Sequence, residues 1–211
     1  MVENIYTAGV QEILLKDIVE IRSARRPKQL EDRPFDSSLP YVTIQSLEFG
    51  EIEQYADLSG VEIGEKDLVM VKDGYRSGKV FYAKEGIAVS TLVVLKPKRN
   101  DVLTNYLYCY LSYCYDDFQK RLIGTTIGHL DMNYLRQLII PVPDMAKQKE
   151  IVEKYQRIAT LTDELKKKAL QLKELSIKLD SKGLKNKCDD FNLQVDLTLK
   201  SWLHQIFKKT V

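Results

Sequence analysis

Proline and glycine almost stop part-way along this chain. All six prolines and nine of the ten glycines precede Asp144, and only Gly183 follows it. Both residues disfavour helix interiors, proline by removing a donor and glycine by its conformational freedom. The residues beyond Asp144 are dominated by Lys, Glu, Leu and Gln, which favour helix. A turn-rich part must therefore meet a helical part near Pro141-Val142-Pro143-Asp144, where Asp144 suits an N-cap.

The second part carries a heptad pattern. Ile151, Ile158, Leu165, Leu172 and Leu179 recur at every seventh residue, with Tyr155, Thr162, Ala169 and Ser176 between them. Alternating steps of four and three make a seam with large residues on one row and mostly small ones on the other. The pattern predicts a helix from about Asp144 to Ser181, roughly 55 Å long at about 1.5 Å per residue. Its leucines need a partner helix, and Ile151, Tyr155, Ile158, Leu165, Leu172 and Leu179 are the residues expected to meet it. Residues 183–211 are read as a tail, either a short amphipathic helix through Leu197, Leu199, Trp202, Leu203, Ile206 and Phe207 that folds back onto the seam, or a docking surface.

The first part, 1–143, reads as short strands at Tyr41–Ile44, Leu68–Val71, Val80–Ala83, Ala88–Leu95 and Leu138–Val142. Turn signals separate them at Phe49-Gly50, Asp73-Gly74 and Glu85-Gly86. One helix is expected over Val102–Leu122, capped by Asn100 or Asp101, with Leu103, Leu107, Leu111, Cys114 and Phe118 facing the core. The fold class is thus a mixed α+β domain with a long C-terminal coiled-coil helix.

Catalytic signatures are weak. Gly74-Tyr75-Arg76-Ser77-Gly78-Lys79-Val80 is similar to a phosphate loop but one residue short, with Val80 where a metal-binding hydroxyl belongs. No Gly-x-Gly-x-x-Gly opens a helix, so no dinucleotide or methyl-donor pocket is expected. Three cysteines and two histidines, His129 and His204, have no metal-ligand spacing, and reduced thiols in a cytosol are the simplest reading. Neither cofactor nor metal is expected. No apolar run approaches the roughly 20 residues that span a bilayer, and no secretory signal opens the chain, so a cytoplasmic location is expected.

Charge alone does not announce a nucleic-acid partner, since 32 basic and 30 acidic residues leave a net +2. Local patches do more. Arg22, Arg25, Arg26, Lys28 and Arg33 crowd one proline-bearing loop, which is either a phosphate contact or a solvated loop. Lys72, Tyr75, Arg76 and Lys79 surround Gly74 and Gly78 in a turn that can pass close to a surface. Thr125, Thr126 and His129 lie in a third small-residue segment suited to phosphates or base edges, or to a plain connector. The tyrosines Tyr106, Tyr108, Tyr110, Tyr113 and Tyr115 fall on the expected helix, where partial burial explains them better than base stacking.

Several segments, in order, resemble the specificity subunit of type I restriction-modification systems. They are Leu14–Ile21, Pro40–Ile44, Asp67–Gly74 with Gly78-Lys79-Val80, Asn105–Leu111, Gly124-Thr125-Thr126 and Ile139–Pro143, then Gln148 with Ile151-Val152. The resemblance covers about residues 12–180. It implies a mixed α/β target-recognition domain at 1–143 and a spacer helix at 144–182 that packs antiparallel with another. It implies binding of double-stranded DNA, placement of an adenine methyltransferase (modification) subunit and a restriction subunit on the target, and no catalysis by this chain. Ser23-Ala24-Arg25-Arg26-Pro27 departs from the family, which often has a glycine there. A full subunit has two recognition domains and two helices, so this chain is expected to be a half-subunit dimerising through its helix, or a fragment. Two other classes stay open: a detached recognition domain of a methyltransferase-nuclease fusion, and a coiled-coil adaptor that binds protein.

Overall fold

In the computed structural model the boundary near Asp144 separates two compact units, Gln11–Met145 and Met1–Val10 with Ala146–Val211. The structure describes residues 9–82, 84–124, 127–178 and 182–208. In chain order the first unit holds β1 (Gln11–Leu14), α1 (Leu15–Ile18), β2 (Val19–Ser23), β3 (Leu30–Glu31), β4 (Leu39–Val42) and α2 (Ile44–Phe49). Next come β5 (Tyr55–Ala56), β6 (Val61–Ile63), β7 (Leu68–Val71), β8 (Val80–Tyr82), β9 (Gly86–Ala88) and β10 (Leu92–Pro97). The unit ends with α3 (Thr104–Tyr113), α4 (Tyr115–Lys120), α5 (Met132–Gln137) and β11 (Ile139–Val142). The second unit contains α6 (Met145–Lys178) and α7 (Lys182–Lys208).

The core follows from the most apolar strands. Leu68-Val69-Met70-Val71 and Leu92-Val93-Val94-Leu95 are apolar without interruption, and all eight side chains are fully buried. Strands covered on both faces read this way, whereas half-exposed ones alternate. They become the central neighbours β7 and β10 of a four-stranded sheet ordered β2-β10-β7-β8. A five-stranded sheet, β3-β5-β4-β9-β6, packs beside it, with Val42, Ile63 and Ala88 joining Val69, Val71, Leu92 and Val94 in one core cluster. Gly86 opens β9 at φ 153°, where a Cβ would stand 2.3 Å from the Pro40 carbonyl oxygen.

The first and last strands of the unit, β1 and β11, pair antiparallel from Gln11↔Val142 to Leu14↔Ile139. Carbonyls alternate sides along a strand, and Leu138 spends its own on the Leu15 amide at 2.8 Å. Those of Ile139 and Pro141 therefore face away from β1. The α3 tyrosines take them: Tyr110 Oη donates to Ile139 O at 3.2 Å, and Tyr106 Oη donates to Pro141 O. Burial pushes both phenols well above the usual tyrosine range, so they stay protonated as donors.

The mixed α+β class with a long C-terminal helix is as expected, but several elements differ. The helix expected over Val102–Leu122 is broken at Cys114 into α3 and α4. Neither Asn100 nor Asp101 caps it; Asp101 instead binds Arg99 Nε at 2.9 Å. Thr43 and Ile44 leave the expected strand to cap and open α2. Residues 88–95 divide between β9 and β10, which belong to different sheets.

The helical unit also differs from the expectation. The tail is not short, since α7 runs 27 residues. Lys166 of α6 and Asp196 of α7 pair at 2.5 Å. Lys166 lies about 18 Å of helix before the end of α6 and Asp196 about 21 Å after the start of α7, at about 1.5 Å per residue. Such near-equal distances make the two helices an antiparallel hairpin. On the small row Thr162 and Ala169 are 7% and 4% exposed, whereas on the large row Leu165 and Leu172 are 41% and 50% exposed. Ile151 is buried, Tyr155 and Ile158 are half-buried, and Leu179 lies outside the described residues.

Tyr106→Phe leaves the Pro141 carbonyl without its buried donor. It should lower stability by about 1–2 kcal/mol in urea unfolding; an unchanged midpoint would remove the tyrosine from the account of how β11 is held.

Candidate nucleic-acid interface

The order β2-β10-β7-β8 brings distant loops to one end of the sheet. Ser23 at the end of β2 pairs with Val93, Val71 at the end of β7 pairs with Leu92, and Met70 pairs with Val80 at the start of β8. The segment 24–29, the β7–β8 tip 72–79 and the approach to β10 at 89–91 therefore leave the same end. Ala24 N donates to Leu92 O at 3.0 Å, and Lys72 N donates to Thr91 O at 2.7 Å.

The tip is locked to the third candidate segment. Gly74 N donates to Gly128 O and Leu130 N donates to Lys72 O, both at 2.8 Å. Ile123 and His129 exchange two backbone bonds of 2.8 Å, and Asp73 bridges to His129, whose Nδ1 lies 2.8 Å from Asp73 Oδ1. Beneath them Ser77 is fully buried, its hydroxyl 2.7 to 3.1 Å from the carbonyls of Gly74, Lys72 and Gly128. A hydroxyl so enclosed is a structural donor, not a nucleophile. The α4 helix backs the tip: Gln119 Nε2 donates to Ser77 O at 2.5 Å, and Phe118 lies against Gly78.

Tyr75 stands out from this support at 78% exposure, with the Arg76 guanidinium 5.0 Å from its ring centroid. Arg76 and Lys79 both bind Glu48 of α2; Lys79 Nζ lies 2.7 Å from Oε1, and Arg76 Nη1 holds Oε2. The hydrogen bond from Lys79, then that from Arg76, keeps the Glu48 carboxyl below the usual range despite partial burial. Lys72 lies 3.5 Å from Asp73.

Arg25, Arg26 and Lys28 are exposed at the same sheet end, on a loop pinned to residues 57–59. Arg25 Nε donates to Ser59 O at 3.2 Å, and Lys28 N donates to Asp57 Oδ1 at 3.1 Å and Ser59 Oγ at 2.9 Å. Burial raises the Asp57 carboxyl, but bonds from Ser59 and the amides of Gln29 and Lys28 outweigh it and lower the group.

The structure thus joins the tip carrying Lys72, Tyr75, Arg76 and Lys79 to the segment carrying His129. Arg25, Arg26 and Lys28 share the sheet end without joining that network. Thr125 and Thr126 lie outside the described residues. Sequence reasoning missed Glu48, Asp73, Ser77 and Gly128. A helix at Glu48 was signalled by Thr43 and Ser46 spaced as a capping box, with Gly50 in the left-handed region closing the helix.

Cys109 and Cys114 are buried and their thiols are pushed up to about 12, which keeps them protonated and unreactive at neutral pH. Among the described residues no cluster of His, Cys, Asp and Glu could hold a metal ion, and no helix is long and apolar enough to cross a membrane.

A model of the type I restriction modification DNA specificity domain matches residues 8–174. The chain belongs to this family. It is 26% identical over 143 residues to the type I restriction enzyme MjaVIII specificity subunit of Methanocaldococcus jannaschii, covering 67% of this chain and 34% of that protein. The fold resembles the HsdS subunit from Thermoanaerobacter tengcongensis at TM-score 0.59 and 14% identity, over 97% of this chain and 46% of that one. It also resembles a chain from a structural study of type I R-M assembly and conformational transition, at TM-score 0.61 and 15% identity, over 97% and 47%. The specificity domain described here therefore spans a third to a half of the proteins it matches.

Gly78 holds φ 89°, and a Cβ there would stand 2.6 Å from the Phe118 Cβ. Gly78→Ala should cost about 2–4 kcal/mol in urea unfolding, from left-handed strain plus overpacking. A loss below about 0.5 kcal/mol, the range of ordinary surface changes, would show that Phe118 does not fix the tip.

Proposed function

We propose that this chain reads double-stranded DNA as the specificity subunit, or half of it, of a type I restriction-modification complex. It positions a methyltransferase subunit and a restriction subunit on the target, and methyl transfer and cleavage belong to those partners in the cytoplasm. The observation that carries this reading is the buttressed tip: an exposed Tyr75 beside Arg76, fixed by bonds from two loops and α4. Direct readout needs side chains held at base edges, and a rigid tip supplies that without closing an entropy cost on binding. Lys72, Lys79 and His129 on this side, with Arg25, Arg26 and Lys28 along the rim, are the proposed contacts to bases and phosphates, and Thr125 and Thr126 are proposed with them.

Duplexes recovered by the chain from a random pool should converge on one motif. Arg76→Ala should then weaken binding to that duplex about tenfold or more, the scale of one lost base contact, while the thermal midpoint stays put. A recovered pool with no shared motif would sink the reading.

We further propose that the exposed leucine row of α6 meets its equivalent in a second copy. Twofold pairing would present two tips to an interrupted, palindromic site. Light scattering should give a dimer that Leu165→Asp with Leu172→Asp turns into a folded monomer; a monomeric parent chain would leave that row for a different helix.

A further inference from the structure

Glu48 occupies an unusual place for an acidic residue on a DNA-facing rim. The α2 helix that carries it is fixed at both ends, by reciprocal Thr43 and Ser46 bonds of 3.1 and 2.9 Å and by Gly50 at φ 89°. Its side chain is 13% exposed, against 31% and 44% for Arg76 and Lys79. Each carboxylate oxygen holds one of the two cations. Arg76 uses Nη1 for this bond, and a guanidinium has five N–H donors, so donors remain for another acceptor. The carboxylate also lines a groove with Ile44, Gln45, Phe49, Asp73 and Tyr75, in which Phe49 and Tyr75 are 71% and 78% exposed.

A phosphate approaching Arg76 and Lys79 meets two cations that share one carboxylate, so the three groups together present a single positive charge with a fixed negative charge behind it. Counterion release at the tip is correspondingly smaller than two free cations would give, because it scales with phosphates neutralised. A neutral base edge meets no such repulsion.

We propose that Glu48 is a specificity-determining residue, which withholds Arg76 and Lys79 from DNA phosphates so that the tip responds to base edges rather than to backbone charge. The inference rests on the reading of the tip as a DNA contact.

The test uses fluorescence anisotropy with a random-sequence duplex over a salt series, which needs no knowledge of the target. Glu48→Gln should bind the random duplex about tenfold tighter, with the slope of log affinity on log salt steeper by about 1–2, for one or two added phosphate contacts. Glu53→Gln, an equal charge change on an exposed neighbouring residue, should gain less than about twofold. Replacing Arg76 and Lys79 by Ala in the Glu48→Gln background should abolish the gain. Glu48→Ala retains a strong helix former and gives the same reading if the Gln variant unfolds. Unchanged or weaker binding by a folded Glu48 variant, or an equal gain from Glu53→Gln, overturns the inference while the DNA reading stands. If no variant and no parent chain binds duplex at the lowest salt, the DNA reading itself falls and takes the inference with it.

Discussion

The backbone bonds between the β7–β8 tip and the segment around Gly128 organise everything proposed for this molecule. Ser77 and Gly128 are 51 residues apart in sequence, yet the Ser77 hydroxyl lies within reach of the Gly128 carbonyl, and Gly74 and Leu130 complete the ladder. The tip at 72–79 alone would sample many conformations, because Gly74 and Gly78 both hold positive φ. Pairing with a second loop removes that freedom, and the buried Ser77 hydroxyl finds acceptors among three carbonyls that backbone amides also hold. Tyr75 inherits its position from contacts made around it, and Arg76 adds its own bond to Glu48.

That rigidity changes the meaning of the local charge. A flexible lysine or arginine adapts to any phosphate, and a chain with many of them binds DNA indiscriminately. Here the cations of the tip are held against Glu48 and Asp73, and the overall charge is close to balance. Such a surface is poorly suited to strong backbone attraction and better suited to discrimination, where wrong partners must be left with unpaired groups. A modest net charge is therefore compatible with a DNA-reading surface.

Much of this was legible in the residues and some was not. The strands β7 and β10 could be read because uninterrupted Leu and Val runs admit few other fates, and α6 because proline vanishes where the heptads begin. The two glycine-bearing loops stood out individually. Their union did not, because it depends on strand order: β8 must sit at the edge beside β7 for the tip to meet residues 128–130. The role of Glu48 was hidden for the same reason, since a lone acidic residue on a six-residue helix resembles any solvated charge until the fold brings it to Arg76. The break at Cys114 was masked by apolar spacing that runs on through Phe118, because two helices sharing a core face keep the same stripe.

The heptad seam illustrates how one pattern can serve two surfaces. Periodicity announces that both rows need covering but does not assign the covers. On the small row Thr162 and Ala169 are buried and flank Lys166, which binds Asp196 of α7, and small residues there permit close helix approach. What remains outward is the row with Leu165 and Leu172, and such a stripe on a charged helix costs solubility unless something meets it. The hairpin thus narrows the problem of assembly: a partner need only match leucines at seven-residue spacing, and a second copy of the same row does so by symmetry.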